Sequence, residues 1–181
     1  MDKKFFKKCV KEEVYAPYKK AKGKITLFGK YWCKHLSPES NAVYLMRKKQ
    51  YYESKGKFYK LLARFCHVKL MRRYGIHLTE GTTIGLGLRI AHPSSIQITL
   101  CNIGDNFTIY QNCTIGQKRP HSGLFPTIGN NVTMFAGSMI IGDVKVADNV
   151  VLGANSTLLS DAEKAGVYVG TPARLISADK K

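Results

Sequence analysis

Aliphatic residues recur every six positions through the C-terminal half of the chain, and this period is the strongest constraint on its fold. An α-helix does not sustain a strict period of six, and an antiparallel sheet has no reason to keep it through every turn. A parallel β-helix does, because each hexad supplies one short strand and one corner, with an aliphatic side chain in a shared core. The recurring positions are Ile84, Ile90, Ile96, Ile103, Ile109, Ile115, Ile128, Met134, Ile140, Val146, Leu152 and Leu158.

The steps between these positions predict the number of coils and the place of an insertion. Three hexads make one triangular coil, so we expect about four coils from Ile84 onward. The step from Ile96 to Ile103 is seven residues, which predicts a one-residue adjustment there. The step from Ile115 to Ile128 is thirteen residues, so a basic loop within "GQKRPHSGLFPT" leaves the coil at one corner.

The N-terminal part differs from the coils in pattern and in charge. Residues 1–74 hold 21 Lys and Arg against 5 Asp and Glu, whereas residues 75–181 hold 8 against 7. Apolar residues at helical intervals between positions 43 and 70 predict helices, and Gly56 and Gly75 are expected helix ends. We therefore expect a basic α-helical region at 1–74, a mainly β domain at 75–176 and a basic tail at 177–181.

The basic region suits several partners. An anionic membrane surface, an acidic polymer or a nucleic acid would each match this charge, and a lysine-rich helical surface that only faces solvent matches it equally. The five cysteines show no CxxC spacing, which favours a reducing compartment over disulfides or a thiolate zinc site. Neither a signal-peptide pattern nor an apolar run of about 18 residues is present, so we expect a cytoplasmic protein, peripheral to the inner membrane if it binds lipid.

Three segments resemble the left-handed β-helix acyltransferases, in particular the serine acetyltransferase branch and its relatives that O-acetylate polysaccharides. The segments are "YGIHLTEGTTIGLGLRIAHP", "TIGQ…PTIGNNV" and "VGTPARLI", and the similarity covers about residues 74–176. The resemblance implies a left-handed coil, a homotrimer, and acetyl-CoA as co-substrate without a metal ion.

The resemblance also assigns a role to His92, which ends the segment "IGLGLRIAH". In serine acetyltransferases the matching histidine is the general base, so His92 is expected to take the proton of an acceptor hydroxyl as that hydroxyl attacks the thioester. A structural histidine at a β-helix corner is the alternative. The family's acidic partner of this base is replaced here by Gly75. Glu80, the nearest upstream carboxylate, is a candidate to orient the ring, and a backbone carbonyl is the other.

Coenzyme A is held, by the same resemblance, mostly through backbone groups along an edge of the prism. Small residues let the pantetheine arm approach the main chain, and an arginine would neutralise nucleotide phosphates. A lysine that the family uses near this site is replaced by Val151. The implied residues are Gly116, Gln117, Ala136, Gly137, Ala154, Thr171, Pro172 and Arg174.

The acceptor site departs from the serine acetyltransferase pattern. The family's arginine and histidine before a loop proline are replaced by Leu124 and Phe125, so the usual clamp for the carboxylate of serine is missing from the sequence. The inserted loop instead carries Lys118, Arg119 and His121, which suit an anionic or sugar acceptor or are simply exposed loop charges.

The sequence therefore favours an acetyl-CoA-dependent O-acetyltransferase that modifies a sugar hydroxyl in surface polysaccharide synthesis, with His92 as general base. Serine O-acetyltransferase of cysteine biosynthesis is the first alternative, and an N-acyltransferase of an amino-sugar nucleotide is another. A non-catalytic basic β-helix scaffold or nucleic-acid-binding protein is the last, although no nucleic-acid recognition motif is present. His35, His67 and His77 lack the context of His92, and we interpret them as structural.

Overall fold

The computed structural model describes residues 1–119 and 123–177, which form a helical region followed by a β-helix. The helical segments are α1 (Lys3–Cys9), a π-helix (Val10–Tyr15), α2 (Ala16–Lys22), α3 (Leu27–His35), α4 (Pro38–Glu53), a 3-10 turn (Lys57–Tyr59) and α5 (Lys60–Tyr74). Helix α4 lies at the centre of the region, because it packs against α1, the π-helix, α3 and α5. Among the described residues no helix combines the length and the apolarity needed to cross a membrane.

Local sequence signals account for the limits of several helices. The side chain of Asp2 accepts a hydrogen bond from the backbone N–H of Phe5 at the start of α1, and Thr26 does the same for Gly29 in α3. Helix α5 ends at Gly75, whose φ of 63° is a left-handed value that glycine adopts without a steric penalty. Gly56, with φ of 98°, separates α4 from the 3-10 turn.

Three sheets form the sides of the β-helix, and successive strands occupy them in turn. The first sheet contains β1 (His77–Leu78), β4 (Gln97–Ile98), β7 (Thr114–Gly116), β10 (Met139–Ile141) and β13 (Thr157–Leu158). The second contains β2 (Thr83–Ile84), β5 (Asn102–Ile103), β8 (Thr127–Ile128) and β11 (Lys145–Val146). The third contains β3 (Arg89–Ile90), β6 (Thr108–Ile109), β9 (Thr133–Met134), β12 (Val150–Leu152) and β14 (Gly166–Gly170), and β15 (Ala173–Ser177) pairs antiparallel with β14.

Aliphatic side chains of successive coils stack on one another in the core, as a β-helix requires. Ile84 pairs with Ile103, and Ile103 with Ile128, in the second sheet. In the third sheet Ile90 pairs with Ile109. All five of these side chains are almost fully buried. The predicted parallel β-helix with an N-terminal helical region is therefore confirmed, although its coils begin at β1 and number about five rather than four.

One predicted stacking position is wrong, and the error locates an irregular corner. In the first sheet the residue that stacks on Leu78 and Ile115 is Ile98, not Ile96. Ile96 is also buried, but it lies two residues earlier, just before β4 begins. The corner between Ile90 and Ile98 therefore holds two residues more than a regular hexad, and the next step is one residue shorter. The spacing of aliphatic residues in the sequence shows only the net change of one extra residue, as the seven-residue step from Ile96 to Ile103.

The thirteen-residue step has the predicted cause. Ile115 in β7 and Ile128 in β8 occupy consecutive sides of the prism, so the extra residues lie outside the coil at the corner between the first and second sheets. Residues 120–122 of this insertion, like the basic tail beyond residue 177, fall outside the described residues.

The five cysteines are free and buried. Burial in the core raises the pKa of the Cys101 thiol to about 12 and that of Cys9 to about 11. These thiols are packing groups, because a reactive cysteine needs a lowered pKa and some exposure.

A buried ion pair joins the helical region to the first coil, and we call Glu13, Arg47 and their partners the joint. Glu13 of the π-helix and Arg47 of α4 approach to 2.6 Å, and neither side chain is exposed to solvent. The Arg47 guanidinium also donates to the carbonyl oxygen of Ile84 at 2.8 Å. The Glu13 carboxylate accepts the backbone N–H groups of Gly87 at 2.8 Å and Leu88 at 3.1 Å. Both charges are thus paired and hydrogen-bonded, which is the condition for burying them.

A histidine pair makes a second contact between the two regions. His67 of α5 and His77 of β1 pack edge to face, with ring centroids 4.8 Å apart. Nδ1 of His67 is buried and has no hydrogen-bond partner within the described part of the chain. Burial, reinforced by the nearby His77 and Lys49, lowers the pKa of His67.

Replacing Arg47 by Met should destabilise the protein by about 3–5 kcal/mol, because the Glu13 carboxylate would stay buried without a counter-charge. Urea unfolding followed by circular dichroism measures the change. Adding Glu13→Gln to Arg47→Met should restore part of the loss, and Lys8→Met, at an exposed position of α1, should cost little. A loss below about 1 kcal/mol in Arg47→Met would show that the joint is not what holds the two regions together.

The histidine pair predicts lower stability in mild acid. The unfolded chain takes up a proton at His67 near pH 6.5, whereas the folded protein resists protonation there until the pH is lower. The unfolded state therefore binds more protons in that interval, and the free energy of unfolding decreases as the pH falls through it. His67→Gln should reduce the difference in unfolding free energy between pH 7.5 and pH 5.5, and His35→Gln should not. An unchanged difference in His67→Gln would contradict this assignment.

Candidate active site

His92 lies in the irregular corner that follows β3. The corner requires left-handed backbone at His92, with φ of 56°, and at Ser95, with φ of 51°. Two hydrogen bonds fix its path: the N–H of Ser95 donates to the carbonyl of Tyr74 at 2.8 Å, and the N–H of Asn112 donates to the carbonyl of Ser94 at 2.9 Å. The corner is thus anchored both to the end of α5 and to the coil below it. The imidazole itself is exposed.

A cavity of about 570 Å³ opens beside His92, and we call it the His92 cavity. Its floor is the stretch from Gly87 to His92 with Tyr110 from the next coil. The helical region forms its other walls, with Tyr18 of α2, Trp32 of α3 and Val43 of α4 among the lining residues. Because the joint fixes α4 and the π-helix to Ile84, Gly87 and Leu88, it also fixes the walls of this cavity.

Charged groups of both signs line the His92 cavity. Glu12, Glu13 and Glu39 contribute three carboxylates, although residues 1–74 hold only five acidic residues in all. Glu13 is already paired with Arg47. Glu12 and Glu39 are exposed residues of the cavity lining, and Arg89 of β3 adds one cation. The cavity therefore offers two carboxylates and one guanidinium to a ligand.

Aromatic rings lie beside the His92 imidazole. The Tyr110 ring centroid is 6.3 Å from that of His92, and Phe135 of the following coil lies 5.0 Å from Tyr110. Across residues 1–119 and 123–177, no hydrogen bond to the His92 side chain is present. The ring nitrogens are therefore open to a ligand in the cavity.

The structure does not bring Glu80 to His92. The Glu80 carboxylate accepts from Nζ of Lys60 at 2.8 Å on the surface, and this hydrogen bond lowers the pKa of Glu80. Glu80 lines two clefts near β1 and β2 but not the His92 cavity. Glu12 and Glu39 are the carboxylates that share the cavity with the imidazole.

Three of the residues expected to hold coenzyme A lie along one edge of the prism with His92. We call this the His92 edge; it consists of the corners that follow β3, β6, β9 and β12. Ala136 and Gly137 follow β9, and Ala154 follows β12. The N–H of Asn155 donates to the carbonyl of Ala136 at 2.9 Å, which stacks these corners on one another. Gly137 has φ of 72°, and a Cβ there would come within 2.1 Å of Oδ1 of Asn155, so the position requires glycine.

Thr171 and Pro172 reach the end of the same edge, because they follow β14 of the third sheet in the turn to β15. The Thr171 hydroxyl lies 3.3 Å from that of Thr157. Arg174 is exposed, and its Nη1 donates to the carbonyl of Ala173 at 3.0 Å. The guanidinium thus retains donors for an anion.

The remaining predicted residues lie at a different edge. Gly116 ends β7, and Gln117 follows it at the corner between the first and second sheets, where the inserted loop begins; we call this the loop edge. Nε2 of Gln117 donates to the carbonyl of Leu124 at 3.0 Å, which closes the base of the loop. Lys118 and Arg119 are exposed there, beside a separate cleft of about 260 Å³. His121 lies outside the described residues.

Within one chain, therefore, the two sets of predicted residues do not form one site. His92, Ala136, Gly137 and Ala154 share an edge, whereas Gly116, Gln117, Lys118 and Arg119 belong to another. In the described ranges no group of three or more His, Cys, Asp or Glu side chains is placed to hold a metal ion.

Sequence reasoning missed the residues that face His92 from the helical region and from β3. Arg89 lies within the segment that ends in His92, but no role was assigned to it. Glu12, Glu39 and Tyr110 belong to no motif, and Glu12 and Glu39 reach the cavity only through tertiary packing. One signal was available. Only five acidic residues occur in the first 74 positions, and three of these line the His92 cavity.

Known proteins match both the repeats and the fold. The bacterial transferase hexapeptide family (six repeats) matches residues 125–160. Serine acetyltransferases of Staphylococcus aureus strain Mu50 and Staphylococcus epidermidis strain ATCC 12228 are 38% and 39% identical over 107 residues, which cover 58% of this chain and 50% of each relative. The chain thus spans about half the length of the curated relatives it matches.

Solved serine acetyltransferases share the overall fold. The crystal structure of the Neisseria gonorrhoeae protein has a TM-score of 0.79 at 22% identity, over 99% of this chain and 69% of that chain. The soybean apoenzyme has a TM-score of 0.72 at 21% identity, over 93% and 69%. A serine acetyltransferase in complex with CoA has a TM-score of 0.66 at 23% identity, over 76% and 55%. The repeats, the relatives and the fold together fit a left-handed β-helix acyltransferase of the serine acetyltransferase type, which confirms the resemblance inferred from the sequence.

Proposed function

We propose that this chain transfers the acetyl group of acetyl-CoA to the hydroxyl of L-serine, with His92 as the general base. The observation that carries the proposal is the charge pattern beside His92, where Glu12 and Glu39 face one cavity with Arg89. A 2-amino-3-hydroxy acid has one cation and one anion, which match this pattern. The named relatives are serine acetyltransferases, and one solved relative is a complex with serine.

The charge pattern supports an amino acid over the sugar favoured by the sequence. The α-ammonium group of serine would pair with Glu12 or Glu39, and its carboxylate with Arg89, leaving the hydroxyl to point at His92. A sugar without an amino group would leave both carboxylates without a cation. Within one chain, the basic loop that suggested a sugar lies at the loop edge rather than at the His92 cavity. Arg89 would thus replace the carboxylate clamp that is missing at Leu124 and Phe125.

The reaction needs a base because a hydroxyl is a weak nucleophile near neutral pH. The His92 imidazole takes the hydroxyl proton while the oxygen attacks the thioester carbonyl carbon. The tetrahedral intermediate then collapses, the carbon–sulfur bond breaks, and the imidazolium returns the proton to the departing thiolate. The products are O-acetylserine and CoA, and a backbone N–H group at the edge would stabilise the oxyanion.

Coenzyme A would lie along the His92 edge. This placement is supported by the small residues at that edge, one of which must be glycine. Ala136, Gly137 and Ala154 keep side chains short where a pantetheine arm approaches the backbone. Gly116 and Gln117 would take part only if the loop edge of a second copy faced this edge. We therefore propose a homotrimer in which each site lies between two neighbouring prisms.

A sugar hydroxyl is the second candidate acceptor. It is favoured by Leu124 and Phe125 in place of the usual arginine and histidine, and by the exposed cations of the inserted loop. In a trimer, that loop from one copy would approach the His92 edge of the next. Turnover of an oligosaccharide acceptor faster than L-serine would establish this candidate and reject serine.

His92→Asn should lower kcat/KM for acetyl transfer to L-serine by about 10²–10⁴-fold, because asparagine cannot act as a base. Asparagine tolerates the left-handed backbone of this position, as Asn112 and Asn155 show at other corners of the same edge. Release of the CoA thiol from acetyl-CoA, followed with a thiol reagent, measures the rate. His35→Asn is the matched control. Equal rates for His92→Asn and the wild type would remove His92 from the mechanism.

Arg89→Gln should raise KM for L-serine about 10–100-fold, the cost of losing one charge-assisted hydrogen bond, without changing KM for acetyl-CoA. Wild type should prefer L-serine to L-serine amide, and Arg89→Gln should lose this preference. Glu39→Gln should raise KM for L-serine and for L-serine amide, because both acceptors carry the ammonium group. Lys145→Gln, on the outer face of the second sheet, is the control. An unchanged preference in Arg89→Gln would reject the proposed orientation of the acceptor.

A further inference from the structure

A second large cleft lies in the helical region, and it shares one lining residue, Glu12 of the π-helix, with the His92 cavity. We call it the lysine cleft; it runs between α1, the π-helix and α2 on one side and α3 and α4 on the other. Its volume is about 650 Å³, within the range of small-molecule sites. The apolar side chains in its wall are Phe6, Val10, Tyr15, Ala16, Ile25 and Tyr44.

Cations surround this apolar interior. The basic residues that line the cleft are Lys7, Lys11, Lys19, Lys30 and Lys34, against a single acidic residue, Glu12. None of these five lysines forms an ion pair within residues 1–119 and 123–177. Four of them are exposed, as is typical of lysines that keep the charged group in water while the stem lies along an apolar surface: Lys7, Lys11, Lys19 and Lys30.

Lys34 is held inside the cleft rather than at its rim. Its Nζ lies 5.7 Å from the Tyr15 ring centroid and 5.3 Å from that of Tyr44, and both rings belong to the apolar wall. Hydrogen bonding to Tyr15 raises the pKa of Lys34, so this group stays charged at neutral pH. An anionic head group that reached Lys34 would have its hydrocarbon chain in contact with Phe6, Val10 and Ile25.

We propose that the lysine cleft binds a single-chain anionic amphiphile, such as an alkyl phosphate or a fatty acid. The cleft combines the two features such a ligand needs, an apolar channel and uncompensated cations. A neutral apolar ligand would leave the lysines unused. A second copy of this chain is disfavoured, because the same five cations would face a region whose net charge is also strongly positive. The proposal does not depend on the acetyl transfer proposed above.

Isothermal titration calorimetry with decyl phosphate below its micellar concentration tests the proposal. We expect saturable binding of one molecule per chain, with no comparable binding of decanol, decyltrimethylammonium or inorganic phosphate. Equal binding of decyltrimethylammonium would show an apolar site without charge recognition, and equal binding of inorganic phosphate would show a simple anion site. Either result would overturn the proposal.

Two variants distinguish the cleft from the rest of the basic surface. Ala16→Trp should fill the cleft and weaken binding at least about tenfold, and it should leave the fold intact because Ala16 is exposed at the start of α2. Lys19→Glu should also weaken binding, whereas Lys20→Glu, its exposed neighbour outside the cleft, should not. Equal loss in Lys19→Glu and Lys20→Glu, with normal binding in Ala16→Trp, would mean that surface charge alone attracts the ligand. Binding only to vesicles of anionic phospholipid, unaffected by Ala16→Trp, would likewise reject a site in the cleft.

Discussion

The carboxylate of Glu13 and the guanidinium of Arg47 meet 2.6 Å apart with no exposure to solvent, and the position of the helical region depends on them. Burying two charges is costly unless they are paired and their remaining hydrogen-bonding groups are satisfied. The first coil meets this need with the carbonyl of Ile84 and the N–H groups of Gly87 and Leu88. These backbone groups are available because they lie in and between β2 and β3, which are the edge strands of the second and third sheets.

By fixing the helical region, this joint places a cavity beside the exposed corner at His92. A β-helix presents flat sheets and narrow edges, and an imidazole at an edge would by itself face only solvent. With the π-helix and α4 fixed against the first coil, Glu12 and Glu39 come to face the same cavity as His92 and Arg89. In the proposed reaction, the β-helix would supply the base and the guanidinium of Arg89, and the helical region would supply the two carboxylates. The inserted loop and Gly116 lie on another edge, so a complete site of the proposed kind requires more than one copy of the chain.

The fold was predictable because its signal is repeated. Each coil requires inward aliphatic residues at a fixed spacing, and twelve such positions leave few alternatives. The error at Ile96 arose where the repeat is broken, because a corner with two extra residues leaves no periodic mark. The cavity was less predictable. Glu39 and Arg89 are separated by fifty positions in the sequence, and tertiary packing brings them to the same cavity. Glu80 is close to the motif in sequence but pairs with Lys60.

The central claim is that the hydroxyl of a zwitterionic acceptor meets the His92 imidazole beside the His92 edge. A crystal structure of the protein with L-serine and CoA bound tests it most directly. We expect the serine hydroxyl within about 3.2 Å of an imidazole nitrogen, the ammonium group facing Glu12 or Glu39, and the carboxylate at Arg89. Serine bound elsewhere, or with its hydroxyl turned away from His92 while CoA occupies the edge, would contradict it.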